Sequence, residues 1–159
     1  MILFVYLFIA AALVGVDQLT KYWAVIYLKD QPNIQIWPNV FELEYRENTG
    51  AAFSLFRDHV WLLSIVSAVI LAAIVVTVVR IKLPNIRWVR IAALLIVAGG
   101  AGNLIDRVFR GYVVDFISVK LIDFPVFNVA DCFVCIGAFV LLIYVIFIYR
   151  EPAKTDTNA

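Results

Sequence analysis

Charge is scarce in this chain. Asp, Glu, Lys and Arg make up 16% of its 159 residues, against about 25% in an average soluble domain. Histidine occurs once, at His59, so a histidine-based metal site lacks material. The lone imidazole also has no evident partner pattern for a serine protease triad. Cysteine occurs twice, at Cys132 and Cys135, and a single pair gives no disulfide framework. The net charge is +1 and no basic stripe stands out, which argues against a nucleic-acid partner. No repeat or low-complexity segment is evident.

Hydrocarbon is what the chain has in excess. Hydrophobic residues reach 64%, where a soluble domain has about 45–50%. That surplus must face something other than water, so the expectation is an integral membrane protein. Four apolar stretches read as spans: about 1–27, 60–79, 88–108 and 128–149. Each is near the roughly 20 residues that cross a bilayer. The first could be mistaken for a secretory signal. It has no charged n-region and no convincing small-residue cleavage site before Asp17, so it reads as a retained span. Residues 1–150 are expected to form one membrane domain, and 151–159 a flexible polar tail.

Basic residues set the expected orientation. Arg80, Lys82, Arg87 and Arg90 lie between the second and third spans with no acid among them, and Arg150 and Lys154 follow the fourth. The other two loops mix signs. The positive-inside rule therefore puts the 80–90 loop and both termini in the cytoplasm. The outer loop, about 28–59, is long for a connector. In it Phe41, Leu43 and Tyr45 alternate with Glu42, Glu44 and Arg46, the period of a strand with one apolar face. Val113–Val119 is rich in β-branched residues and also reads as extended. A small β-element lying on the outer membrane face is expected, with Trp23, Trp37 and Trp61 near the interface.

The few acids within the spans fall at one depth. At about 1.5 Å per residue, Asp17 lies about 24 Å up the first span, Asp106 about 24 Å up the third and Asp131 about 28 Å up the fourth. All sit near the outer edge of a hydrocarbon core roughly 30 Å thick. Asp115, in the last loop, can reach the same level. Two close carboxyls cannot both ionise cheaply and share one proton. The ionised one can then take a proton from water while the protonated one polarises a peptide carbonyl. That is peptide hydrolysis without metal or covalent intermediate.

Neighbouring residues support a site at that level. Gly99, Asn103 and Arg107 share a helix face, with Asp106 adjacent. The glycines at 99, 100 and 102 admit close approach of either another helix or a substrate backbone. Asn103 and Arg107 could bind peptide carbonyls. Asp17 and Lys21, four apart, read as an ion pair that orders the end of the first span. Asn128 reads as a helix cap, with Asp131 at the third helical position, where an acid is favoured.

Five motifs, in order, resemble the lipoprotein signal peptidases, the type II signal peptidases of bacteria. They are Asp17-Gln-Leu-Thr-Lys21, Asn48-Thr-Gly-Ala-Ala-Phe-Ser54, Gly99-Gly-Ala-Gly-Asn-Leu-Ile-Asp-Arg107, Val113-Val-Asp-Phe116 and Phe127-Asn-Val-Ala-Asp131. The resemblance implies an all-α membrane protein of four transmembrane helices with a small extracytoplasmic β-cradle. It implies an aspartic endopeptidase of the bacterial cytoplasmic membrane, monomeric, without cofactor or metal, with its site near the outer face. The substrate would be a prolipoprotein cut just before a cysteine that carries diacylglycerol, and membrane lipid would be the other partner. Globomycin would block it.

By motif, Asp115 and Asp131 would be the catalytic dyad. Asn48, Gly50, Asn103, Arg107 and Asn128 would bind substrate or orient the dyad, and Asp17, Lys21 and Asp106 would support the site. Family members often carry an acid where this chain has Ser118. Two readings compete: a membrane thiol oxidoreductase using Cys132 and Cys135, and a proton-coupled transporter using the intramembrane acids. The first wants a second cysteine pair. The second commonly shows inverted repeats and acids at the midplane, which this chain lacks.

Overall fold

The computed structural model describes residues 2–50, 59–81, 86–122 and 124–149, with side chains from residue 4 onward. Residues 51–54 of the Asn48 motif lie outside the described residues, as do Lys82, Arg150, Lys154 and the 151–159 tail. Among the described residues, four helices are long and apolar enough to cross a membrane. They are α1 (Ile2–Tyr27), α2 (Val60–Arg80), α3 (Ile86–Arg110) and α4 (Val129–Ile143). The last continues as a π-helical turn over Tyr144–Ile148, which the sequence did not announce. Three strands among the described residues make one antiparallel sheet in the order β1 (Ile34–Trp37), β2 (Phe41–Asn48) and β3 (Val113–Val119). The four expected spans and both expected strands are therefore present. Edge strand β1 is additional.

The helices turn their apolar side chains outward. Phe8 is 75% exposed and α2 has no buried residue at all. In a bilayer those faces meet lipid, so the helices need small residues rather than a greasy core to hold together. α3 shows how. A Cβ on Gly99 would strike the backbone oxygen of Ala130 in α4. On Gly100 it would meet Leu71 of α2, and on Gly102 the carboxylate of Asp17 in α1. Three glycines thus face three different helices, and α3 is the central post. Of the two uses open to these glycines, helix packing is the one realised.

The sheet stacks on the end of this bundle. Ala24 and Leu28 at the end of α1 bury against Val114 and Phe116 of β3, with Leu43, Tyr45 and Val129 packed around them. Leu43 and Tyr45 are two of the three residues expected on the apolar face of β2. The opposite face is not simply solvated. Glu42 and Glu44 are buried, because Lys120 pairs with both, Arg46 with Glu44, and Asn33 donates to Glu42.

A β-bulge sets what stands beside Asp115. β2 and β3 pair as Leu43 with Ile117, then as Arg46 with Asp115 and Asn48 with Val113. β2 therefore has one residue more than β3 between those pairs. Without it, Tyr45 would oppose Asp115 and Glu47 would oppose Val113. The extra residue instead puts Asn48 on the same side of the sheet as Asp115, two pairs along. The turn from α3 into β3 is made at Gly111, whose φ of 78° a side chain would disfavour. Asp106 closes that turn by accepting the Val114 N–H at 3.1 Å.

Candidate active site

Asp115 lies in the middle of β3 and Asp131 in the first turn of α4. Both line one open cleft of about 1390 Å³ between the sheet, the C-terminal end of α3 and the N-terminal end of α4. Asp115 is almost fully buried, while Asp131 is partly exposed. All four of their carboxylate oxygens accept a hydrogen bond. Asn128 Nδ2 donates to Asp115 Oδ1 at 2.6 Å and Asn48 Nδ2 to Asp115 Oδ2 at 2.9 Å. Asn103 Nδ2 donates to Asp131 Oδ1 at 2.7 Å. The backbone N–H of Asn128 donates to Asp131 Oδ2 at 3.1 Å.

That last bond is half of a capping box. Asn128 Oδ1 in turn accepts from the Asp131 N–H at 3.0 Å. The box satisfies two backbone donors at the helix start. It also fixes which way the Asn128 amide faces. With its oxygen held by the helix, its nitrogen must point at Asp115 Oδ1 and at Asn103 Oδ1, 3.1 Å away. The cap and the dyad are thus one arrangement. Read from the sequence, the capping role explained where Asp131 sits but not the residues around it.

Burial dominates the chemistry of Asp115. It pushes the carboxyl up from 3.8 to about 7. The Asn48 hydrogen bond opposes this, the Asp131 charge adds to it, and Asn128 and the Lys21 charge pull back. A carboxyl so placed keeps its proton up to neutral pH.

Behind the dyad lies a buried ionic cluster. The side chains of Asp17, Lys21 and Asp106 are wholly inaccessible to solvent. Lys21 Nζ sits 3.0 Å from Asp17 Oδ2, 3.1 Å from Asp106 Oδ2 and 2.8 Å from Asn103 Oδ1. Its three N–H donors are all used. The expected Asp17–Lys21 pair is present, but it is one side of a larger junction. Asp17 Oδ1 accepts the Ala130 N–H at 2.9 Å, and Arg110 reaches Asp106 at 3.4 Å. The acids placed at one level by helix rise do meet: Asp17 and Asp106 through Lys21, and Asp131 through Asn103.

Arg107 takes a different position. One of its terminal nitrogens donates to the Gly50 carbonyl at 3.3 Å, and its buried Nε has no hydrogen-bond partner among the described residues. Gly50 in turn donates its N–H to Asn48 Oδ1 at 2.9 Å. So Asn48, Gly50, Asn103, Arg107, Asp115 and Asp131 line the cleft, Asp17, Lys21 and Asp106 form the cluster behind it, and Asn128 bridges Asn103 and Asp115. Asn103 is committed to internal partners on both ends of its amide, which suits orientation of the dyad better than a grip on substrate.

Some participants gave no advance signal. Gln18 bonds Asp17, the Gly102 carbonyl and Asp106 at 3.2, 3.1 and 3.4 Å. Its place next to Asp17 in the first motif was the available hint. Glu44, Ser118 and Lys120 line the cleft on its sheet side. Cys132, Val134 and Cys135 line its apolar end, and both cysteines are free thiols.

Comparison with known proteins agrees with this arrangement. The family model described as Signal peptidase (SPase) II matches residues 9–147. A lipoprotein signal peptidase of Clostridioides difficile (strain 630) is 43% identical over 146 residues, covering 89% of this chain and 95% of that one. One from Clostridium acetobutylicum is 42% identical over 134 residues, covering 82% and 86%. A solved structure described as a bacterial membrane enzyme, at 2.3 Å resolution, superposes with a TM-score of 0.81 at 32% identity, covering 89% of this chain and 87% of that one.

Proposed function

The chain belongs to the signal peptidase II family, and we propose that it hydrolyses its substrate with an aspartic dyad, Asp115 and Asp131. It is a multi-pass membrane protease that removes the signal peptide from prolipoproteins. The bond cut is the one just before the lipidated cysteine. One observation carries the dyad assignment. In a single cleft, four separate N–H groups hold the four oxygens of two carboxyls, one of them deeply buried.

The division of labour follows from burial. Asp115 holds the shared proton and Asp131 acts as base. A water between them loses a proton to Asp131 as its oxygen attacks the scissile carbonyl carbon. Asp115 gives its proton to the carbonyl oxygen. On collapse of the tetrahedral intermediate the C–N bond breaks. Asp131 passes its proton to the departing amine, and Asp115 recovers its own. Arg107, on the cleft wall, offers its guanidinium to a substrate carbonyl.

The cleft's two ends suit a peptide that straddles the membrane boundary. Its apolar end, at Val134 and Cys135, runs one helical turn below Asp131 along α4. That end suits the signal peptide and the acyl chains of the lipidated cysteine. Its sheet side, where Glu44 and Lys120 stand, suits the segment after the cut. Lipid anchoring would hold an ordinary peptide bond at the dyad. The bacterial cytoplasmic membrane, an outward-facing site and cytoplasmic termini fit the basic 80–90 loop. The test is cleavage of a lipidated prolipoprotein by purified Asp115→Asn and Asp131→Asn. Each should lose activity while keeping its fold.

A further inference from the structure

Lys21 stands in the cluster behind the dyad, where charge compensation alone would explain a cation. Two acids need one, and Asp17 and Asp106 are each within 3.1 Å of it. Its third bond is not accounted for in that way. The shortest contact of the ammonium is to a neutral group, Asn103 Oδ1 at 2.8 Å.

That bond decides which way the Asn103 amide faces. Its oxygen accepts from Lys21 and from Asn128 Nδ2, so its nitrogen is left to donate to Asp131 Oδ1. An amide turned the other way would present an oxygen to Asp131. That oxygen would favour a protonated Asp131 and so disfavour it as the base. The turned amide would also set its NH₂ against the Asn128 NH₂, the group that holds Asp115. One ammonium thus biases both carboxyls through a chain of two amides, without touching either.

We propose that Lys21 is a positioning residue for hydrolysis: it locks the Asn103 amide with its nitrogen on Asp131, so that Asp131 stays the proton acceptor. This rests on the dyad reading above.

The test must separate this role from support of the fold. Lys21→Met alone strands two buried acids, so the informative protein is the double variant Asp17→Asn, Lys21→Met. It removes one charge of each sign. Asn keeps an oxygen for the Ala130 N–H, unbranched Met fills the lysine's volume, and Asp106 retains Arg110 and the Val114 N–H. Asp17→Asn alone is the reference. Fold is checked by thermal unfolding of the purified protein, and activity by kcat and KM on a lipidated prolipoprotein.

Relative to the reference, the double variant should fold, lose kcat on the order of 10- to 100-fold and keep its KM. The basic limb of its kcat–pH profile should also move to higher pH. The charged groups around Asp115 are Lys21 from α1, Arg46 across the sheet, Asp106 and Arg107 from α3 and Asp131 from α4. Only the positive charge of Lys21 is lost in the comparison, and that charge helps Asp115 to ionise. A folded double variant with the reference's kcat and pH limb would overturn the proposal. So would a double variant that does not fold, since Lys21 would then serve the fold alone. Retained cleavage by Asp115→Asn or Asp131→Asn would instead remove the dyad on which the proposal rests.

Discussion

Asp115→Asn should cost the enzyme its activity and, at neutral pH, return stability. Burial lifts the Asp115 carboxyl from 3.8 to about 7. At about 1.36 kcal/mol per pKa unit, that is about 4 kcal/mol of preference for the neutral form in the folded state. The sign follows from linkage. Below about pH 4 the carboxyl is protonated in both folded and unfolded chains, and there is no penalty. Between about pH 4 and 7 the unfolded chain ionises while the folded one resists, so folding loses stability as pH rises. Above about pH 7 the loss is complete and constant. Asn is neutral throughout and escapes it. Asn also brings an NH₂ into a site where Asn48 and Asn128 both donate. That mismatch costs about 1–3 kcal/mol at every pH. The variant should therefore be less stable than the parent at pH 4 and more stable at pH 8. The change between the two pH values, about 4 kcal/mol, is free of the mismatch. In thermal unfolding of detergent-solubilised protein it corresponds to a swing in ΔTm on the order of 10 °C. A ΔTm that is the same at pH 4 and pH 8 would refute the burial argument.

Three further outcomes are expected. Cleavage by the parent enzyme should decline as pH rises through about 7, because Asp115 then loses the proton it must give; a rate that stays flat to pH 9 would contradict that role. Among the glycines, Gly99→Ala should destabilise by about 1–3 kcal/mol, since the new methyl drives into the Ala130 backbone of the helix that carries Asp131. Gly15→Ala, with nothing within 4 Å, should stabilise by about 0.5–1 kcal/mol, and thermal unfolding distinguishes the two.

Much of this was legible in the chain because it depends on local patterns. The spans follow from runs of apolar residues, β2 from alternation over 41–46, and the α4 cap from Asn128 and Asp131 three apart. Helix rise brought the acids to one level, but it could not say which pairs touch. Lys21 bonds Asn103, 82 residues away, and Gln18 bonds Asp106, 88 away. Those contacts depend on how α1 rotates against α3, which no local period encodes. The buried Glu42 and Glu44 were hidden for a similar reason: their cation, Lys120, lies past the end of another strand. The bulge that brings Asn48 beside Asp115 is a matter of register, fixed by pairing and not by the sequence of either strand alone. The edge strand β1 is four residues long and exposed throughout, too short and unburied to leave a pattern.

The dyad is tested most directly by cleavage itself. Purified parent, Asp115→Asn and Asp131→Asn would each be given a lipidated prolipoprotein in detergent micelles, with folding checked by thermal unfolding. Both folded variants should release no signal peptide above the uncatalysed background. Cleavage at the parent's rate by either folded variant would contradict the account.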